Sequence, residues 1–306
     1  MNEFNHQPVL LQKCLDNLKI KPNGTYVDGT LGGAGHASAI AKKLDSNGLL
    51  IGIDRDGDAI AAAEKRLTGN FTLVRDKHEN IRQVLNQLNI TAVDGFLLDL
   101  GVSSYQLDTP ERGFSYRFDA PLDMRMDKRS PLSAYDVVNE WPEKDLIRIL
   151  KEYGEERYAK RIASVICKSR PIKTTFELVD IIVNSTPYLK HGHPAARTFQ
   201  AIRIAVNQEL QDLAQTIADM IDFLKPEGRI CIITFHSLED RIVKQSFKYW
   251  ANPCNCPRDI PYCICGKKPT IRLISKKPIL SDDAELSENP RSHSAKLRVA
   301  EKLKEE

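Results

Sequence analysis

Long apolar runs are missing from this sequence: no stretch approaches the roughly 18 consecutive apolar residues that a membrane-spanning helix needs. A membrane protein is therefore not expected, and the polar opening Met1 to His6 carries no signal-peptide pattern. A surplus of one charge is missing too. The 44 Lys and Arg against 41 Asp and Glu leave a net charge of +3, too little to announce a nucleic-acid binder by itself. Cysteines are few and odd in number: seven thiols in 306 residues do not suggest a disulfide framework, so a reducing cytoplasm is the natural setting. What remains is a chain that is 42% hydrophobic, long enough to bury one large core or two smaller ones.

The most informative stretch is Tyr26-Val27-Asp28-Gly29-Thr30-Leu31-Gly32-Gly33-Ala34-Gly35-His36. Thr25 to Val27 favour a strand and Asp28 closes it. Four glycines in the next seven residues then allow positive φ and the close approach of a ligand. From His36 onward the spacing of Ala37, Ile40, Ala41 and Leu44 is helical. Strand, glycine loop and helix together are how α/β proteins seat a nucleotide-like cofactor. A dinucleotide fingerprint needs a third glycine after Gly33 and Gly35, but Ser38 stands there, and Asp28 would sit beside two phosphates. Both points count against an NAD-type oxidoreductase. A cofactor with a sulfonium and an ammonium group suits the acid better.

Three more buried strands follow: Leu49 to Ile53, ended by Asp54; Phe71 to Val74; and Asp94 to Asp99. Parallel strands bring their carboxyl ends to one edge, so Asp28, Asp54 and Asp99 should converge on a single crevice. Asp54 is placed to accept from a ribose diol. His78, just past the third strand, is either the edge of an adenine pocket or a surface loop residue. After Ser103 and Ser104 the strand–helix rhythm stops. Residues 108–131 have little periodicity, and helices then resume at Pro142, over 155–168, after a Thr174/Glu177 capping box, and through Arg197, Gln200 and Arg203. The segment 106–205 thus reads as an all-helical domain inserted between 1–105 and 206–306. Beyond it, a fifth strand from Arg229 to Phe235 runs into a helix at His236, Ile271 to Ser275 forms an outer strand, and the tail from Glu301 to Glu306 is expected to fray.

The charge excess is concentrated. The segment 106–205 holds 17 basic and 14 acidic side chains, and within it 157–203 has nine Lys and Arg against two Asp and Glu. Arg157, Lys160, Arg161, Arg197 and Arg203 belong to that block, which is either a footprint for phosphates or a solvated helical face. A purely RNA-binding assembly factor would account for this block but leave the three strand-end acids without a purpose. Late in the chain, Cys254-x-Cys256 and Cys263-x-Cys265 suggest a structural zinc, although C-x-C is tighter than the usual spacing; four reduced thiols in a loop are the other reading.

The strand–Asp–glycine loop with Asp54 and Asp99 resembles a class I S-adenosylmethionine-dependent methyltransferase, an α/β Rossmann-like fold. Four blocks closely resemble the bacterial small-subunit ribosomal RNA methyltransferase H family, also called MraW: 28–36, LLDLGVSS at 97–104, YGEERYAKRI at 153–162 and FHSLEDR at 235–241. Stretches 193–207 and 288–297 extend the resemblance over nearly the whole chain. The resemblance implies S-adenosylmethionine-dependent methylation of the exocyclic N4 of a cytidine in the decoding region of 16S rRNA, within the small ribosomal subunit. It also implies cofactor contacts from Ala34, Gly35, His36, Asp54, His78, Asp99 and Gln106, with Gly33 in the same loop.

An amine attacking a sulfonium methyl needs alignment and acceptors for its hydrogens, not a covalent intermediate. Asp99, Ser103 and Ser104 follow the fourth strand, where DNA amino-methyltransferases carry a Pro-Pro-aromatic motif that is absent here. They are the candidate acceptors. His236 either helps proton loss or merely starts a helix. Carbon-5 methylation would need a cysteine nucleophile, and none follows strand four. A base taken out of its stack needs an aromatic partner; Phe114, Tyr116 and Phe235 are candidates, with core packing as the alternative. The sequence leaves the oligomeric state open, a homodimer included.

Overall fold

The computed structural model describes residues 8–187, 192–257 and 262–304. The polar opening Met1 to His6 and the last residues Glu305 and Glu306 lie outside them. The chain divides into two compact units, one formed by 1–101 with 211–306 and the other by 102–210. Both boundaries lie a few residues outside the expected 106–205. One reason is Asn207, whose side chain accepts from Met126 N (2.7 Å) and donates to Met124 O (2.7 Å), tying the end of its helix to the helical unit.

The first unit is built on a seven-stranded sheet in the order β3-β2-β1-β4-β5-β7-β6. The strands are β1 Thr25–Asp28, β2 Leu49–Ile53, β3 Phe71–Val74, β4 Val93–Asp99, β5 Leu224–Thr234, β6 Ile271–Leu273 and β7 Lys296–Lys302. Neighbours among β1 to β5 pair in parallel, while β7 runs antiparallel to both β5 and β6. Side chains alternate across the sheet with period two. Val27, Ile51, Phe96, Leu98, Ile230 and Ile232 meet the helices Ile81–Gln87, Leu213–Phe223 and Ser237–Ala251 on one face. Tyr26, Leu50, Leu97, Cys231 and Ile233 meet Leu11–Leu18 and Gly35–Ala41 on the other. This is the doubly wound, Rossmann-like layout of the class I methyltransferases. The strand order reverses between β1 and β4, the switch point at whose carboxyl ends α/β sheets of this kind bind their ligands.

Two expectations for the sheet are corrected. Strand β5 begins at Leu224 rather than Arg229, with a bulge that lets Val93–Gly95 face Leu224–Arg229. The tail does not fray at Glu301: that residue is buried in β7, opposite Arg229, and its carboxylate is paired with both Arg229 and Arg272.

The helical unit packs Ala134–Glu140, Glu143–Glu152, Ala159–Lys168, Thr175–Ser185 and Ala195–Asn207 around Ile149, Leu150, Ile162, Ile166, Leu178, Ile182 and Ile202. The Thr174/Glu177 capping box forms as expected.

Candidate active site

The glycine loop is laid across the ends of three strands by its own backbone. Gly29 N donates to Leu97 O of β4 (2.9 Å), Leu31 N to Ile53 O of β2 (3.3 Å), and Gly32 N to Asp54 Oδ2 (2.8 Å). Thr30 binds both ways, giving its N–H to Asp28 Oδ1 (3.1 Å) and accepting Asp99 N at Oγ1 (2.5 Å). The left-handed positions are Gly32 (φ 47) and Ala34 (φ 57), not the neighbouring Gly33 and Gly35. Gly29 is needed for space: a Cβ there would meet Leu98 Cδ2 at 2.4 Å and His78 Cβ at 3.5 Å.

This loop gathers the three strand-end acids with no cation paired to them among the described residues. Burial pushes Asp28 up to about 7, eased by the Thr30 N–H and worsened by the Asp54 charge. Burial likewise pushes Asp54 up to about 6, although Asp56 N and Gly32 N each donate to one of its oxygens at 2.8 Å. Asp99 is pushed furthest, up to about 8, by burial and then by the charges of Asp28 and Glu239. Its Oδ1 is buried without a hydrogen-bond partner. Polar atoms left in that state are costly, so this one is an acceptor waiting for a donor.

Three sequence-predicted imidazoles belong to the same unit. His36 donates through Nε2 to Val9 O (3.0 Å), and burial lowers it to about 4. Its contact is therefore with the protein's own backbone and, at 3.6 Å from Nδ1, with Asp99. His78 opens a short 3₁₀ turn after β3, is buried and lowered to about 4, and lies 3.5 Å from Glu79, which is itself held by Arg55. His236 caps a helix: its ring accepts the Glu239 N–H while the Glu239 carboxylate takes the His236 N–H, a reciprocal capping box, and its Nε2 is buried without a hydrogen-bond partner. Glu239 was not singled out from the sequence, yet it is buried and its charge reaches both Asp99 and His78. The His-x-x-Glu spacing at the head of a helix was the available signal.

Other sequence-predicted residues lie in the helical unit. Ser103 and Gln106 cap one another around Ser104–Asp108: Gln106 N donates to Ser103 Oγ (3.2 Å) and Ser103 N to Gln106 Oε1 (3.0 Å). Ser104 is the first residue of that helix. Phe114 is a core residue, 6% exposed and faced by the Arg112 guanidinium at 5.8 Å, so the packing alternative describes it. Tyr116 stacks on His193 with ring centres 4.5 Å apart. Arg157, Lys160, Arg161 and Arg197 are exposed, with Arg197 also donating to Glu155 O (3.2 Å). Arg203 differs: its guanidinium grips both oxygens of the buried Glu209 at 2.8 Å, which turns it inward to a structural pair.

Residues 3–303 match the MraW methylase family. A protein of Lachnospira eligens named ribosomal RNA small subunit methyltransferase H is 56% identical over 310 residues, which cover 98% of this chain and 98% of the relative. One of the same name from Ruminiclostridium cellulolyticum is 54% identical over 312 residues, covering 98% of this chain and all of the relative. A third, from Clostridioides difficile, is 53% identical over 310 residues with the same coverage.

Proposed function

The chain belongs to the MraW methylase family, and from that premise we propose that it methylates the exocyclic N4 of a cytidine in the decoding region of 16S rRNA, using S-adenosylmethionine, in the cytoplasm. The observation that carries this reading is the cluster of acids at the β1/β4 switch point, where Asp28 is buried, Asp54 and Asp99 are partly buried, and no cation is paired with any of the three among the described residues. S-adenosylmethionine, when bound, supplies a methyl group activated on a positive sulfonium. Its two cationic centres and its ribose diol match what the crevice lacks.

Each carboxylate has a distinct task. Asp54 is clamped by two backbone N–H groups and has lone pairs left over that would accept from a ribose diol. Asp28, anchored by Thr30, supplies negative charge beneath the glycine loop. Asp99 presents the unpartnered Oδ1, an acceptor suited to one hydrogen of the attacking amine, which orients the nitrogen lone pair toward the methyl group. Ser103 and Ser104 stay in the proposal on the strength of their motif alone. The cysteines support the nitrogen route. Burial pushes Cys231 up to about 12 and raises Cys14 well above its ordinary value, so neither is a ready thiolate. The zinc expected of the cysteine cluster has no part in this chemistry.

The proposal is tested by incubating the protein with labelled S-adenosylmethionine and small ribosomal subunits, then mapping the label by nuclease digestion and mass spectrometry. N4-methylcytidine in 16S rRNA is expected. Label on carbon 5, or a covalent complex with 5-fluorocytidine RNA, would overturn the mechanism; no label in rRNA would overturn the function.

A further inference from the structure

Among its described residues, the loop between the helix Ser237–Ala251 and β6 is nearly bare of apolar anchors. Tyr262 and Ile264 keep 81% and 76% of their accessible surface, and Cys254 and Cys263 are exposed. Side chains this exposed contribute little burial to offset the entropy of ordering them. Its four thiols nevertheless come together. Cys263 Sγ lies 3.5 Å from Cys254, 3.8 Å from Cys256 and 3.4 Å from Cys265, and all four sulfurs fall within 4.8 Å of one another. These separations are far from the about 2.05 Å of a disulfide, and all four thiols are free. They are close to the edge, about 3.8 Å, of a tetrahedron built on Zn–S bonds of about 2.3 Å.

We propose that Cys254, Cys256, Cys263 and Cys265 form a mononuclear structural zinc site. On binding, each thiol releases its proton to solvent, so up to four protons leave as four Zn–S bonds form, and the completed site carries a double negative charge. Backbone donors are already aimed at the sulfurs. Ile264 N donates to Cys256 Sγ (3.4 Å), and the N–H groups of Lys267 and Asn255 face Cys265. Such donors favour thiolate over thiol and are what surrounds ligand sulfurs in metal knuckles. Lys267 and Lys268, one glycine beyond the last ligand, add positive charge. The tight C-x-C spacing is accommodated because the pairs arrive from two arms of the loop and interleave, with Cys263 touching both ligands of the other arm. A cluster of several irons needs its ligand sulfurs further apart than this.

The full chain, expressed with zinc in the medium and purified without chelator, is analysed by plasma mass spectrometry. One zinc per chain is expected, falling at least about fivefold in Cys254→Ser and Cys263→Ser and unchanged in Cys167→Ser. Cobalt exchanged into the wild-type protein should show the intense visible bands of a tetrahedral thiolate site. Cobalt spectra and zinc content of the wild-type chain decide the matter even if a variant fails to fold. Zinc below a tenth of an equivalent with all four thiols alkylated at the rate of free cysteine, or iron in place of zinc, would overturn the assignment.

Discussion

His36 Nδ1 lies 3.6 Å from Asp99 Oδ2, and the hydrogen of the imidazole points the other way. Nε2 faces the carbonyl of Val9, which can only accept, so Nε2 carries the hydrogen and Nδ1 turns a lone pair toward the acid. His36, lowered to about 4, is neutral at neutral pH, while Asp99, pushed up to about 8, is largely protonated when the crevice holds no cation. A cation entering the crevice favours the ionised acid. Asp99 and His36 then present adjacent lone pairs, the arrangement an incoming amine needs.

Asp99→Asn should therefore abolish methyl transfer, by about 10² or more, while leaving the fold intact. Its amide has the same shape but carries no charge. Because a buried carboxylate is costly to ionise, the variant without cofactor should melt at or above the wild-type temperature at pH 8. Single-turnover rates and thermal melts check this; a wild-type rate in the variant would remove Asp99 from the chemistry.

The crevice also sets a pH dependence. For an acid whose folded pKa is raised, the folded state holds the proton longer, so stability falls as pH rises through the folded value. His36 and His78, lowered to about 4, act in the opposite sense but only below about 6.5, where unfolded histidine takes up its proton. Between about 6.5 and 8, Asp28 and Asp99 both lower stability as pH rises, while the Cys265 thiol, drawn down to about 6, acts in the opposite sense. Two desolvated acids outweigh one solvent-screened thiol, so the cofactor-free protein should lose stability across that window. S-adenosylmethionine should bind more tightly as pH rises and release protons as it binds. Calorimetry in buffers of different ionisation enthalpy measures that release; zero protons at pH 7 would contradict the account.

Asp54→Ala should weaken S-adenosylmethionine binding at least about tenfold, since hydrogen bonds to an ionised acceptor contribute roughly 1.5–3 kcal/mol each after exchange with water. Its melting temperature should stay near wild type, because the lost contacts to Gly32 and Asp56 are balanced by removal of a carboxyl that desolvation pushes up to about 6. Titration calorimetry showing unchanged affinity would take Asp54 out of the cofactor site.

The basic residues should separate into two classes. Replacing exposed Arg157, Lys160 and Arg161 with Ala should weaken RNA binding and flatten its salt dependence, with melting unchanged. Arg203→Ala should instead destabilise the helical unit by about 3 kcal/mol, because it strands the buried Glu209. Filter binding at several salt concentrations and denaturant unfolding distinguish them. Equal salt slopes in the triple variant and the wild type would reduce the first group to a solvated face.

Much of the sheet was legible because local pattern and burial agree there. The apolar runs ending in Asp28, Asp54 and Asp99 are strands with acids at their carboxyl ends, and no distant residue is needed to see it. Strand β7 was not legible. Its Lys-Leu-Arg-Val-Ala-Glu-Lys reads as a charged tail until Arg298 is seen paired with Asp240, and Glu301 with Arg229 and Arg272, across elements far away in sequence.

The site divides in the same way. The residue types of the glycine loop and the three acids were set by the sequence, since their spacing along parallel strands already forces them to one edge. Which acid keeps a free oxygen, which arginine turns inward and whether Phe114 is a platform or a core residue were decided by tertiary structure alone. Each depends on whether a distant partner arrives: none for Asp99 Oδ1, Glu209 for Arg203, and the packed helices for Phe114. A side chain's chemistry is written in the sequence, but its desolvation and its partners exist only once the chain has folded around it.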